Sequence, residues 1–145
     1  MRTLLSVLAA PYLLLILSGC IQSQPTERVD EIRIEPVVIK IKDNIERTLF
    51  DYTTTDELGL IQVFAPEGWT EPIVSLAFET SGVVIDGKLG LEFETDTQYF
   101  TKNEGFQIPK NTKVRIYNAG DSTLHMVEVL RPAYNPQRAQ QFDSF

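Results

Sequence analysis

What most constrains this chain is a succession of short segments in which apolar and polar residues alternate with period two. The clearest is Leu89-Gly90-Leu91-Glu92-Phe93-Glu94, the pattern of a half-buried strand. Similar or β-branched runs fall at residues 32–35, 37–39, 58–64, 73–78, 83–85, 98–101, 106–108, 113–117 and 123–130. Turn chemistry separates them. Asp86-Gly87 is the strongest hairpin signal, because both residues tolerate the positive φ of a tight turn. Pro109-Lys110-Asn111 and Asn118-Ala119-Gly120-Asp121 also read as turns. Only residues 42–50 (KDNIERTLF) are written like a helical turn or two. Eight or nine short strands at near-regular spacing predict an all-β sandwich or barrel. The stretch 131–145 is polar and aperiodic, and is expected to be a loose tail or an arm over a sheet edge.

Composition narrows the chemistry. The chain has one cysteine (Cys20) and one histidine (His125) in 145 residues. Zinc and iron sites ordinarily draw on two or three imidazoles or thiolates, so no metal is expected. No D-x-D-x-D-G calcium loop and no G-x-S-x-G nucleophile elbow occurs. The net charge of −7, with no basic run, argues against nucleic acid as a partner. No cofactor is implied.

The N-terminus carries Arg2 and then an apolar run from Leu4 to Leu17, broken by Pro11. That is the layout of a secretory signal, and the run is short for a bilayer span, which needs about 20 apolar residues. It ends in Leu17-Ser18-Gly19-Cys20, which resembles the lipobox of bacterial lipoproteins. The resemblance implies cleavage before Cys20 and acylation of its thiol and new amine. Two or more acyl chains make a lasting tether. The alternative is a cleaved signal in which Cys20 is incidental. Without residues 1–19 the balance is 12 basic against 20 acidic side chains, or −8. The expected organisation is a signal over 1–19, a lipid-anchored linker over 20–31, a barrel over 32–131 and a polar tail over 132–145. The expected location is the bacterial cell envelope, with the outer membrane facing the periplasm in a Gram-negative cell.

From Gly68 to Arg131 the spacing resembles the cupin family. Its first motif, G-x5-H-x-H-x3-E-x6-G, starts at Gly68, ends at Gly87, and places Val74, Leu76 and Thr80 at three ligand positions. The second fits Gly105, Pro109 and Asn118, with Val114 at its histidine and Asn111 at its inner glycine. The resemblance implies a double-stranded β-helix, or jelly-roll barrel, lacking the family's metal ligands. Each frame residue also has a local reason: Gly87 for positive φ, Pro109 for a fixed φ, and Asn118 to bond its own backbone.

Alternation groups Val74, Leu76 and Phe78 on one face, Leu89, Leu91 and Phe93 on one, and Val114 with Ile116 on another. If these point inward they make either a packed core or an apolar pocket lined by Val74, Leu76, Thr80, Val114, Phe93 and Trp69. Trp69, in the turn Pro66-Glu67-Gly68-Trp69, is read as a lid, a partner contact or a cap on the barrel end. Glu79 is set opposite to Phe78 and Thr80 and is expected in solvent, unless a one-residue slip turns it inward. His125 shares a face with Val127 and Val129 and reads as a strand histidine. No catalytic residue is assigned.

The leading expectation is a membrane-anchored, non-enzymatic cupin-like lipoprotein that binds an envelope protein or a small apolar ligand. The family resemblance adds a homodimer. One rival is a metal-independent sugar isomerase, epimerase or lyase drawing on His125, Glu79, Tyr117 or Glu92. The other is a structural envelope component whose tail docks elsewhere.

Overall fold

The computed structural model describes residues 33–42 and 45–145. The signal, the linker and Cys20 lie outside the described residues. Residues 33–36 carry no regular structure. Eleven strands follow among the described residues, in two antiparallel sheets. The first sheet has the order β1 (Val37–Lys42), β2 (Glu46–Asp51), β3 (Gly59–Ala65), β10 (Leu124–Arg131), β5 (Glu79–Asp86) and β8 (Gly105–Ile108). The second has the order β11 (Ala139–Phe142), β4 (Ile73–Leu76), β9 (Lys113–Asn118), β6 (Lys88–Glu92) and β7 (Thr97–Thr101). Two stacked antiparallel sheets with these crossovers make a jelly roll, as expected.

Two local readings are corrected, and of the two alternatives for 131–145 the arm over a sheet edge is the one observed. The described residues of the stretch 42–50 hold no helical turn: β1 and β2 pair from Val37↔Asp51 to Lys42↔Glu46. Asp86-Gly87 makes its tight turn, with Gly87 at φ +83°, but it is not a hairpin. β5 pairs with β10 and β8, whereas β6 pairs with β7 and β9, so this turn carries the chain from one sheet to the other. A Cβ at Gly87 would lie 2.9 Å from both Leu124 Cα and Thr123 O, so the turn is also pressed against the start of β10. Within the stretch 132–145, a 3-10 turn at Pro136–Arg138 leads into β11, which pairs with β4 from Ala139↔Leu76 to Phe142↔Ile73.

Asn118 does what its position suggested. Its Oδ1 accepts from Gly120 N at 2.9 Å, and its Nδ2 donates to Ala65 O at 3.0 Å and to Ser122 O at 2.7 Å. One side chain thereby closes the β9–β10 turn and ties it to β3.

The barrel interior is divided. On the side of β5, β6 and β8 it is filled, with Val84, Leu89, Leu91, Phe106, Ile108, Val114 and Leu124 all buried. Phe100 closes this side, its ring centroid 5.8 Å from that of Phe106. On the side of β1, β2, β3, β4 and β11 the sheets stand apart around a cavity.

Candidate functional site: a charged corner in an apolar cavity

The cavity has a volume of about 280 Å³ and draws its walls from both sheets. Its construction follows from alternation. On β10, Leu124, Met126, Glu128 and Leu130 share the inward face, and the last three line the cavity. On β2 the inward set is Arg47, Leu49 and Asp51, and on β3 it is Ile61 and Val63. β4 adds Val74 and Leu76 from the opposite sheet, and the segment between β3 and β4 adds Trp69, Glu71 and Pro72. Ile39 on β1 is 38% exposed and Tyr134 is 54% exposed, so these two lining residues stand at the rim. Most of the wall is hydrocarbon, as in small-molecule pockets generally.

Among the described residues, one guanidinium and three carboxyl side chains line this space: Arg47, Asp51, Glu71 and Glu128. Arg47 Nη1 pairs with Glu71 Oε1, both side chains being largely buried, and the guanidinium lies 5.0 Å from the Trp69 ring centroid. Asp51 Oδ1 accepts a hydrogen bond from Thr53 N at 2.8 Å. Glu128 has Ile61 opposite on β3 and Gly82 opposite on β5. Its carboxyl makes no hydrogen bond among the described residues and keeps part of its surface against the cavity. Burial pushes it up from the ordinary carboxylate value of 4.5 to about 7; Glu71 repels the charged form as well, and Arg47 opposes both. Three buried polar atoms on lining residues make no hydrogen bond among the described residues: Arg47 Nη1, which has only its ion pair, Trp69 Nε1 and Thr80 Oγ1.

Of the residues singled out in the sequence, Val74, Leu76, Thr80 and Trp69 line the cavity together. Trp69 is 2% exposed, beneath Arg47 rather than on the surface. Val114 pairs with Val74 and is buried in the filled half, and Phe93 packs against that core. Neither lines the cavity. The acid–base candidates do not converge. His125 is on the outer face of its sheet, stacked on Phe64 at 4.2 Å, with Gln62 Nε2 donating to its Nε2 at 2.7 Å. Glu92 pairs with Arg115 at 2.9 Å. Tyr117 packs over Gly90, and burial together with a hydrogen bond to Tyr99 pushes its hydroxyl up to about 12. Glu79 pairs across to Arg131 on the face opposite to Thr80. None of these four lines the cavity.

The residues missed were Glu128, Glu71, Arg47 and Asp51. A signal existed for the first: Glu128 interrupts the apolar face Leu124-Met126-Glu128-Leu130 at period two.

The positions at which cupins carry metal ligands hold Val74, Leu76, Thr80 and Val114. Three hydrocarbon side chains and one hydroxyl do not make a donor set for a divalent ion. Among the described residues no group of three or more His, Cys, Asp or Glu side chains is placed to hold one.

Known proteins bear on the fold. No family model matches the chain. The endoribonuclease YbeY of Myxococcus xanthus (strain DK1622) is 28% identical over 87 residues, which is 60% of this chain and 30% of that protein. The chain thus spans less than a third of that relative. An RmlC-like cupin from Shewanella frigidimarina superposes with a TM-score of 0.60 at 11% identity, over 69% of this chain and 86% of that one. Pac13, a nucleoside dehydratase, gives 0.62 at 13% identity over 76% and 91%. The cupin domain of Schizosaccharomyces pombe Cnp3 gives 0.53 at 15% identity over 68% and 88%. At such identities the likeness speaks for architecture alone, and it is consistent: this chain has the RmlC-like jelly-roll fold of the cupins.

Proposed function

We propose that the domain is a small-molecule binding module whose ligand lies in the cavity between the sheets. The observation that carries this is the cavity itself, about 280 Å³ with a hydrocarbon wall and one charged corner. A well-filled jelly roll of this size has no need of such a void, and its lining would lose dispersion contacts across it. A cavity of about 150 Å³ accepts benzene, so this one suits a guest of roughly ten heavy atoms. The test is native mass spectrometry of the full chain with and without 2-phenylethanol, repeated on Ile61→Trp, which puts an indole into the space. Binding that Ile61→Trp abolishes supports the reading. Equal binding by both proteins overturns it.

A catalytic reading rests on Glu128. A cavity carboxyl with a pKa near neutrality has the properties of a general acid–base group, and a structural neighbour on this fold is a nucleoside dehydratase. Turnover of a bound compound that disappears in Glu128→Gln, with binding retained, would move the assignment to an enzyme.

The Leu17-Ser18-Gly19-Cys20 sequence supports tethering of this module to an envelope membrane through acylated Cys20. A mass for the N-terminal peptide of the native protein that begins at Cys20 and carries acyl chains is the expected result; an unmodified Cys20 refutes it.

A further inference from the structure

The charges around the cavity say which ligands its wall can accept. Among the described residues that line the cavity Arg47 is the only cationic side chain, and it is already engaged by Glu71 and by the Trp69 face. Asp51 and Glu128 are the other charged groups, and both are acids. A ligand carboxylate or phosphate would meet two carboxyls with no free cation to offset them. Glu128 stands in the opposite position. It is desolvated, lacks any hydrogen bond among the described residues, and faces Gly82 on β5, whose surface the Phe106 ring covers, so no polar side chain meets it there. Burying a carboxylate is costly unless it is paired, and a charged N–H donor forms one of the stronger hydrogen bonds such a group can accept.

A second observation points the same way. Thr80 is 2% exposed, lines the cavity, and has a hydroxyl without a hydrogen-bond partner among the described residues. Leu130 pairs with Thr80 and Glu128 with Gly82, so Thr80 is the diagonal cross-strand neighbour of Glu128 on the inward face. An ammonium carries three N–H donors. A carboxylate and a hydroxyl set diagonally are acceptors for two of them.

We infer that the cavity selects small organic amines, with the ligand's ammonium on Glu128 and its hydrocarbon body against Ile61, Val63, Val74, Leu76 and Met126. This rests on the reading of the cavity as a small-ligand site. It goes further in assigning a charge class to the ligand and a receptor role to Glu128.

The experiment is calorimetric titration of the full chain at pH 8 with three probes of about ten heavy atoms: 2-phenylethylamine, 2-phenylethanol and phenylacetate. The amine is expected to bind at least about tenfold more tightly than the alcohol, and phenylacetate not to bind. In Glu128→Gln, with its fold checked by circular dichroism, the amine's advantage is expected to fall below about threefold while the alcohol binds as before. A second measurement needs no variant. At pH 7, amine binding to the wild type is expected to release about half a proton, read from buffers of different ionisation enthalpy, and alcohol binding none. The inference is overturned if the alcohol or phenylacetate binds as well as the amine, if the preference survives Glu128→Gln, or if no proton is released. In those cases the small-ligand reading is decided separately, by whether Ile61→Trp abolishes the binding that is seen. If none of the three binds, both are wrong.

Discussion

Arg47 holds its guanidinium 5.0 Å from the Trp69 ring centroid while its Nη1 pairs with Glu71. The cation is thus engaged on a face and on an edge at once, and among the described residues it is the one positive charge facing three acids along the cavity wall. Arg47→Met is expected to cost about 3 kcal/mol, because it removes the cation from a largely buried ion pair and uncovers the indole face. Adding Glu71→Gln should recover about half of that loss. Urea unfolding of the two single variants and the double variant at pH 7 reads both numbers, and strictly additive costs would show that the pair is not coupled.

Glu128 makes stability depend on pH in a direction unusual for a carboxylate. Its folded pKa of about 7 lies above the ordinary value of 4.5, so the folded state holds a proton that the unfolded chain has released. Its contribution is full below pH 4.5 and falls as pH rises to 7. At roughly 1.4 kcal/mol per pH unit the change is about 3 kcal/mol. Wild type should therefore lose about 3 kcal/mol relative to Glu128→Gln between pH 4.5 and pH 8. Parallel pH profiles of the two proteins would contradict this.

Gly87 combines a φ of +83° with backbone of Thr123 and Leu124 where a Cβ would sit. Gly87→Ala should cost about 2–3 kcal/mol, part from the left-handed conformation and part from displaced backbone. A melting temperature unchanged within error would show that the inter-sheet turn can move aside.

His125 is a test of which face matters. It stacks on Phe64 outside the barrel, so His125→Ala should lower stability by about 1 kcal/mol. It should leave the affinity of any cavity ligand within about twofold. Loss of binding in this variant would relocate the site to the outer face.

Ending the chain after Tyr134 removes β11, which pairs with four residues of β4 and brings Ala139 and Gln141 to the cavity wall. At roughly 0.5–1.5 kcal/mol per lost backbone hydrogen bond, the truncated chain should be less stable by about 2 kcal/mol or more. Its exposed β4 edge should also raise its tendency to self-associate. Light scattering beside a denaturant titration checks both.

How far these elements could be read in advance depends on what their side chains face. β6, β9 and β10 alternate because their inner faces are mostly hydrocarbon, against the packed core or the cavity wall, and so they stood out. β2 did not. Its inward set is Arg47, Leu49 and Asp51, while Phe50 points outward against Phe64 at 5.7 Å. A charged inner face with an aromatic outer one erases the contrast that marks a strand, and the charges in KDNIER read as helix surface. β11 (AQQF) contributes mainly backbone pairing to β4, which leaves little trace in side-chain type. Turn residues specified the backbone angle at Gly87 but not which sheets the turn would join, since that depends on partners distant in the chain. The cavity's apolar wall could be proposed from residues such as Val74 and Leu76. Its acids were passed over because an isolated acidic residue in a strand is ordinarily solvated.

The division of the barrel into a filled half and a hollow half separates two kinds of selective pressure. Val84, Leu89, Leu91, Phe106, Ile108 and Leu124 hold the sheets together without touching the cavity. Rim and wall positions such as Ile39, Leu49, Ile61 and Gln141 touch the cavity without belonging to the fully buried core. Of the second set, Leu49 and Ile61 still pack against the core, but substitutions at the exposed Ile39 and Gln141 can alter what is bound at little cost to folding. The domain is therefore built as a chassis: its specificity can drift, or be engineered, while its architecture stays put.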